Sequence, residues 1–261
     1  MSETTARILR LVAISGAATA VLLSLRFGAD TTDRFIADVG AISAYVTAIG
    51  TLYSILAAFT IYVVWTQFND TATAIREEAK DLLDMYRYVA YLNDGPAAEG
   101  FRSAIVTYTS LVAEDEWGAM SRGQSSRAAE DAFEGIFREI NAVKFDDDRD
   151  ESAWTMIIQK FENVSDSRTK RLELASADVP LLLYSLLYGV SVALVAGFFM
   201  LGIDNDFLAV TTTVLTTTIV VLVIDAVADM DDPFGGQWGV TPAAFEAVPQ
   251  GLATIDAVVA A

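Results

Sequence analysis

Two long apolar runs, separated by three polar residues, constrain the fold of this chain more than any other part of its sequence. The runs are Val179–Ile203 and Phe207–Val227, and Asp204, Asn205 and Asp206 lie between them. A helix needs roughly 20 apolar residues to cross a bilayer core about 30 Å thick, and each run is long enough. Because three residues allow only a tight turn, this stretch predicts a transmembrane helical hairpin.

Charged residues beside the apolar runs predict how the chain is oriented in the membrane. Arg168, Lys170 and Arg171 precede the hairpin, whereas its turn carries only acidic charges. Since Lys and Arg are enriched in cytoplasmic segments, the turn is predicted to be external and both ends of the hairpin cytoplasmic. Arg7 and Arg10 extend this reasoning to the N-terminus. The sequence thus predicts a multi-pass protein of the cell membrane with both termini in the cytoplasm.

Two further apolar runs precede the hairpin. Ile8–Leu25 is predicted to be a retained first transmembrane helix, and a cleaved signal peptide is the alternative. Val39–Phe68 contains no charge and is predicted to be the second. Small and hydroxyl-bearing residues recur along it at spacings of three and four, so they share one helical face that can line a wet pore or allow close helix packing. These residues are Ser43, Thr47, Thr51, Ser54 and Ala58, with Phe59 next to the last of them.

Residues 69–178 are predicted to form a helical cytoplasmic domain inserted between the second and third membrane helices. Four amphipathic segments are recognised there by apolar residues that recur with the helical period. The predicted inward positions are Ile75, Ala79, Leu82, Tyr86 and Val89; Phe101, Ile105, Tyr108, Leu111 and Val112; Phe133, Ile136, Phe137 and Ile140; and Trp154, Ile157, Ile158, Phe161, Val164 and Leu172. No strand-like alternation occurs, so the predicted fold class is an all-α membrane protein with four transmembrane helices.

Two details of this domain follow from the same periodicity. Glu77, Glu78 and Asp81 are predicted to lie on the solvated face of the first segment. The fourth segment leads into the hairpin, so one long helix with a kink at Pro180 is predicted to enter the membrane. The chain then divides into a first membrane helix pair (1–68), the cytoplasmic domain (69–178), the second hairpin (179–230) and a cytoplasmic C-terminal segment (231–261).

The composition limits the classes of function. The chain has 35 acidic and 17 basic residues, a net charge of −18, which argues against a nucleic-acid partner. Such an excess of acid is typical of a halophilic protein, although an acidic cytoplasmic domain would have a similar composition. The chain contains no His or Cys and no Gly-rich phosphate loop, and its membrane runs hold no pair of acids. We therefore expect neither an enzyme nor an organic cofactor.

Several short motifs, in their order along the chain, resemble a family of bestrophin-like membrane proteins. Together they cover Phe59 to about Val248, most of the chain. The motifs are Ala58-Phe59, Val64-Trp65, Glu77-Glu78-Ala79, Leu82-Leu83, Glu114-Asp115-Glu116-Trp117, Arg168, Arg171-Leu172, Pro180, Asp232-Pro233-Phe234-Gly235-Gly236 and Val240-Thr241-Pro242. The resemblance implies two membrane helices, a helical cytoplasmic insertion and two more membrane helices, assembled as a pentamer around the second helix.

The same resemblance implies ion conduction, chiefly of anions, with cation-conducting bacterial relatives. It also implies that the acidic segment after the fourth helix takes part in calcium sensing, which makes Asp229, Asp231 and Asp232 weak candidates for a metal site. This segment departs from the bestrophin pattern because it contains Pro233 and two glycines. This departure weakens the implied calcium site, and no other cofactor is expected.

Two function classes remain open for the chain. The first is an oligomeric ion channel in the lipid bilayer, with a pore lined by Ser43, Thr47, Thr51, Ser54, Ala58 and Phe59. The second is a non-conducting membrane scaffold or sensor whose cytoplasmic helices bind a partner. Four helices without a central charge cannot conduct as a monomer, so conduction requires homo-oligomers.

Acidic residues at the two ends of the membrane helices give two further predictions. Outer-mouth acids repeated around a ring would concentrate cations, so cation conduction is favoured over anion conduction. These acids are Asp30, Asp33, Asp38, Asp204 and Asp206. At the inner surface, Arg168 or Arg171 is predicted to pair with Asp229, Asp231 or Asp232, since the hairpin brings both clusters to one side.

Overall fold

The chain is α-helical throughout the part that the computed structural model describes, and no strand occurs there. The described residues are 3–27, 39–92, 95–143, 148–177, 179–201, 203 and 205–259. The helices are α1 (Glu3–Phe27), α2 (Val39–Val89), α3 (Gly95–Leu111), α4 (Trp117–Met120), α5 (Arg127–Ala142), α6 (Asp148–Ala175), α7 (Leu181–Met200), α8 (Asp206–Asp231), α9 (Ala243–Glu246) and α10 (Val248–Val259). A π-helical turn, Val112–Glu116, joins α3 to α4. The predicted all-α fold class is confirmed at this level.

The helices form two compact units. The first comprises Met1–Val64 and Val179–Ala228, and the second comprises Trp65–Asp178 and Asp229–Ala261. Three helices, α2, α7 and α8, are long and apolar enough to cross a membrane, as expected of a membrane protein. Within the described residues α1 contributes only a shorter apolar stretch, Val12–Ser24, so the count of four spans stays a prediction.

In the first unit, α2, α7 and α8 share a small apolar core. Its buried members are Tyr53, Ala57, Leu187, Leu194 and Val220. At Gly197 on α7, a Cβ atom would lie 2.8 Å from Cγ2 of Val46, so only glycine permits this close approach of α2. Many other apolar side chains of these helices are exposed, which is the pattern of a surface that faces lipid.

Helix α1 runs antiparallel to α8 in the same unit. Ser15 Oγ lies 3.4 Å from Thr218 Oγ1, and Arg10 Nη1 lies 3.3 Å from Asp225 Oδ1. The sequence numbers rise along one helix as they fall along the other, so the start of α1 and the end of α8 lie at the same end of the unit. The absolute orientation of the two termini stays a prediction.

The second unit buries most of the positions that were predicted to face inward. The fully buried apolar residues include Leu82, Met85, Val89, Phe101, Ile105, Tyr108, Ile136, Ile157 and Val164, together with Phe245, Val248 and Leu252 of the C-terminal helices. The prediction for Phe137 is wrong, because 44% of it is exposed. Glu78 and Asp81 also differ from the prediction, since both are buried and not on a solvated face.

The continuity of two helices differs from the prediction as well. Helix α2 continues for 51 residues from the apolar run into the first amphipathic segment. By contrast, α6 ends at Ala175 and a new helix begins at Leu181, with Pro180 as its N-cap. The prediction of one long helix kinked at Pro180 is therefore wrong. A proline disfavours helical geometry in the residue before it, so one helix ends before Pro180 and a second helix begins after it.

Candidate functional site

Four charged side chains from two helices and the π-helical turn meet in the interior of the second unit. Arg171 on α6 donates from Nε to Glu78 Oε2 over 2.7 Å and from Nη2 to Glu116 Oε2 over 3.0 Å. Arg168, one turn earlier, donates to both oxygens of Glu116 over 2.8 and 2.9 Å. Since two arginines face two glutamates, the cluster carries no net charge. We call these four residues the buried ion network.

Tyr108 completes the network from α3. Its hydroxyl donates to Glu78 and accepts hydrogen bonds from Arg168 over 3.1 Å and from Arg171 over 3.4 Å. The side chains of Glu78, Glu116 and Arg171 are fully buried, and that of Arg168 is 5% exposed. Buried polar groups of this kind are costly unless each is hydrogen-bonded, and here each charged group has at least two partners.

The pKa shifts show how strongly the network depends on its partners. Burial alone would raise the pKa of Glu116, but the hydrogen bond from Arg168 and the charges of both arginines lower it below its usual value. Burial likewise opposes the charge of Arg171, and the carboxylate of Glu78 more than offsets this, so the pKa of Arg171 is raised. Burial and the negative charge of Glu78 raise the pKa of Tyr108. Glu116 is therefore held ionised and the phenol of Tyr108 neutral.

The π-helical turn is the local structure that places Glu116. One extra residue per turn changes which side chains face inward, and such bulges are frequent at functional sites. Asp115 accepts a hydrogen bond from the hydroxyl of Ser126, and Glu116 accepts one from the Ser126 N–H over 3.4 Å. Ser126 also caps α5 by accepting the N–H of Ala129. Through Ser126 the π-helical turn is linked to the start of α5.

The predicted inner ion pair is wrong. Arg168 and Arg171 pair with Glu116 and Glu78, and not with the acids at the end of α8. Arg168 makes a further contact of 3.5 Å with Glu130. The reason is that both arginines continue the inward face of α6, where Val164 is fully buried. They therefore enter the core of the helical domain.

Two of the acids at the end of α8 accept backbone N–H groups. Asp229 accepts the N–H of Gln237 over 2.8 Å and that of Trp238 over 3.1 Å, and Asp232 accepts the N–H of Gly235 over 2.8 Å. Asp231 is the last residue of α8. Among the residues that the structure describes, no three acidic side chains are grouped so that they could hold a metal ion. Calcium binding by this segment stays a prediction.

The predicted pore-lining residues lie along one exposed face of α2. Ser43, Thr47, Thr51, Ser54 and Ala58 are all exposed. The hydroxyls of Thr47, Thr51 and Ser54 donate to the carbonyl four residues earlier, which leaves their oxygens as outward-facing acceptors. We call these five residues the hydroxyl stripe. Three of them, Thr47, Thr51 and Ser54, line a groove of about 460 Å³ together with residues of α7 and α8.

An apolar stripe runs beside the hydroxyl stripe on α2. It consists of Leu52, Ile55, Phe59 and Tyr62, each more than half exposed. The predicted pore-lining residue Phe59 belongs to it. The two stripes lie side by side on the exposed part of α2. Of the outer-mouth acids, Asp206 is exposed at the start of α8, and Asp30, Asp33, Asp38 and Asp204 lie outside the described residues.

Comparison with known proteins gives a family and a fold. A family description of the bestrophin-like domain matches residues 11–245. Two crystal structures of point variants of a bacterial bestrophin homologue from Klebsiella pneumoniae match with TM-scores of 0.74 and 0.71, at 12% and 16% identity, over 98% of this chain and 99% and 100% of theirs. A crystal structure described as a membrane protein matches with a TM-score of 0.70 at 15% identity, over 98% of this chain and 99% of its own.

No curated protein matches the chain. At these identities the solved structures establish the fold alone, and the family follows from the match over most of the sequence. The motifs that carried the resemblance supply Glu78, Glu116, Arg168 and Arg171, which form the buried ion network, and Trp117 and Phe234, whose rings meet at 5.2 Å. The chain belongs to the bestrophin-like family.

Proposed function

We propose that this chain assembles into an oligomeric bestrophin-like ion channel with a pore lined by α2. The observation that carries the proposal is the exposed face of α2, where the hydroxyl stripe and the apolar stripe lie side by side without a charge. Hydroxyl oxygens can replace water around a passing ion, and an apolar ring can act as a constriction. Five copies around an axis, as the resemblance to bestrophins implies, would arrange the hydroxyl stripes and the apolar stripes around one pore.

Cation conduction is the preferred selectivity within this proposal. The support for it is the sign of charge at the predicted outer mouth, where Asp206 is exposed at the start of α8. Acidic rings raise the local concentration of cations and lower that of anions. The partners of the channel would be the lipid bilayer, further copies of the chain and inorganic ions, and calcium would act at most as a regulator.

A non-conducting scaffold or sensor is the second candidate. The observation that favours it is a polar pocket of about 500 Å³ in the second unit, lined by Glu130, Glu134, Arg168 and Glu173 among others. A soluble partner could bind there without any pore in the membrane. The pocket borders the buried ion network through Arg168, so such binding would act on the most polar part of the core.

Single-particle images of the purified protein, combined with currents across a planar bilayer, test the proposal. A ring with an axial hole, together with single-channel currents from the same preparation, would support the channel. A closed dimer that carries no current would contradict it and would favour the scaffold. A variant with Phe59→Ala on the apolar stripe provides a matched comparison, because it should change the current without changing the ring.

A further inference from the structure

The segment between α8 and α9 is a compact turn that is hydrogen-bonded to the end of α8. Both oxygens of Asp229 accept backbone N–H groups from this segment, those of Gln237 and Trp238. Because Asp229 belongs to the last turn of α8, these bonds fix the backbone of Trp238 beside the end of that helix. We call the segment from Asp229 to Gly239 the Asp229 turn.

The sequence of the Asp229 turn is suited to this geometry. The N–H of Val240 donates to the carbonyl of Pro233 over 2.8 Å, which closes the base of the turn. At Gly236, a Cβ atom would lie 2.4 Å from the carbonyl oxygen of Asp229, so no other residue fits without displacing the backbone. Phe234 is buried and meets the ring of Trp117 edge-on at 5.2 Å. One side of the turn is thus anchored in the core of the second unit.

Trp238 is on the outside of the same turn, and 64% of it is exposed. Asp229 follows the apolar run Phe207–Val227 by two residues, which is a rise of roughly 3 Å along a helix. The Trp238 backbone is therefore held at the level where the membrane-spanning part of α8 ends. An indole has an apolar body and one N–H donor, and Trp is one of the two side chains enriched at the boundary between lipid and water.

We propose that Trp238 is a lipid anchor, with its indole in the headgroup region of the leaflet next to the end of α8. The Asp229 turn holds it there. The occupant of this surface is lipid because the covalent continuity of α8 places the membrane boundary beside Asp229. The inference concerns contact with the membrane and does not depend on ion conduction.

Fluorescence quenching of the full-length protein in lipid nanodiscs tests the proposal. The chain has four tryptophans, so the contribution of Trp238 is the difference between the wild type and Trp238→Phe. We expect phospholipids brominated close to the headgroup to quench this contribution at least twofold, and aqueous iodide to leave it nearly unchanged. Trp154→Phe is the matched control, because Trp154 is half-buried and donates to the carbonyl of Ile140. Its contribution should not respond to brominated lipid.

A second variant tests the role of the turn. Asp229→Asn removes one of the two acceptors and should expose the Trp238 fluorescence to iodide, whereas Asp206→Asn at the other end of α8 should not. Quenching of Trp238 by iodide but not by brominated lipid in the wild type would place the indole in water and overturn the proposal. Quenching by neither would mean that protein, such as a second copy, covers it, and would overturn the proposal equally.

Discussion

Arg171 and Glu78 form a two-point ion pair with no exposed surface on either side chain. Nε donates to Oε2 over 2.7 Å, and Nη2 donates to Oε1 over 3.1 Å. Each residue lies on the buried face of its helix, where an apolar residue would be expected. Glu78 stands between Ile75 and Leu82 on the buried face of α2, and Arg171 is seven residues after the fully buried Val164. The core of the second unit is therefore specified by charge as well as by apolar packing.

Removing one partner of this pair should destabilise the second unit strongly. Arg171→Met leaves Glu78 buried without its main counter-charge, so we expect a loss of about 3–5 kcal/mol. Thermal unfolding of the detergent-purified protein measures it. Lys170→Met is the matched control, because Lys170 is exposed on the same helix and should change the melting temperature little. Adding Glu78→Gln to Arg171→Met should recover part of the loss, and fully additive losses would contradict the pairing.

A fall in pH should weaken the buried ion network by protonating Glu116. The pKa of Glu116 is lowered in the folded protein, so its carboxylate stabilises the fold above the ordinary value near 4.5, and this contribution is lost as the pH falls below that value. We expect the free energy of unfolding, measured with denaturant from pH 7 to well below pH 4.5, to fall at the acid end. Glu116→Gln should flatten this dependence. Glu114→Gln, on the exposed side of the π-helical turn, should leave it unchanged.

Cysteine substitutions can test the pore wall against a clean background, since the chain has no Cys. Cysteines at Ser43, Thr47, Thr51 and Ser54 should react with a small water-soluble thiol reagent and alter the current. A cysteine at Ala57, in the core of the first unit, should be protected. Protection at all four positions, with reaction on another face of α2, would show that the hydroxyl stripe is a packing seam.

Selectivity should depend on the outer acids. In asymmetric NaCl across a planar bilayer, we expect the reversal potential to lie toward that of sodium, and Asp206→Asn to reduce this preference. Asp166→Asn, which changes an exposed acid of the second unit, is the control. The effect should shrink in molar salt, where the Debye length is about 3 Å. A reversal potential near that of chloride would refute cation selectivity.

The sequence alone predicts the features that repeat along a helix. The apolar runs of α2, α7 and α8 and most inward positions of the second unit, such as Leu82, Ile105 and Ile157, follow from length and period. The break before Pro180 could have been predicted as well, because the residue before a proline rarely stays helical. The apolar pattern continues across Pro180, and this pattern alone predicts one uninterrupted helix.

The buried ion network could be predicted only in part. Arg168 and Arg171 follow the inward Val164 by four and seven residues, which is a helical spacing. Glu78 is three residues after Ile75 and four before Leu82, but its charge led to its assignment to the solvated face. Glu116 was not accessible in the same way, because the π-helical turn before it shifts the period by one residue. Which glutamate meets which arginine depends on contacts between residues that are far apart in sequence, and periodicity contains no such information.

The same residues affect the predicted orientation in the membrane. Arg168 and Arg171 were counted as cytoplasmic positive charges beside the hairpin, although Glu78 and Glu116 neutralise them inside the second unit. Lys170 alone of the three is exposed. The orientation stays a prediction that a protease-protection assay on membrane vesicles would decide.

Because the buried ion network is neutral, evolution can accept only certain combinations of substitutions at its four positions. Loss of any one of its four charges leaves an unmatched charge in a dry interior, so a single substitution there is harmful even when the final double replacement is harmless. Glu78 and Arg171 should therefore change together or not at all among related chains. A homologue that lacks Arg171 is expected to carry a neutral residue at the position of Glu78 as well.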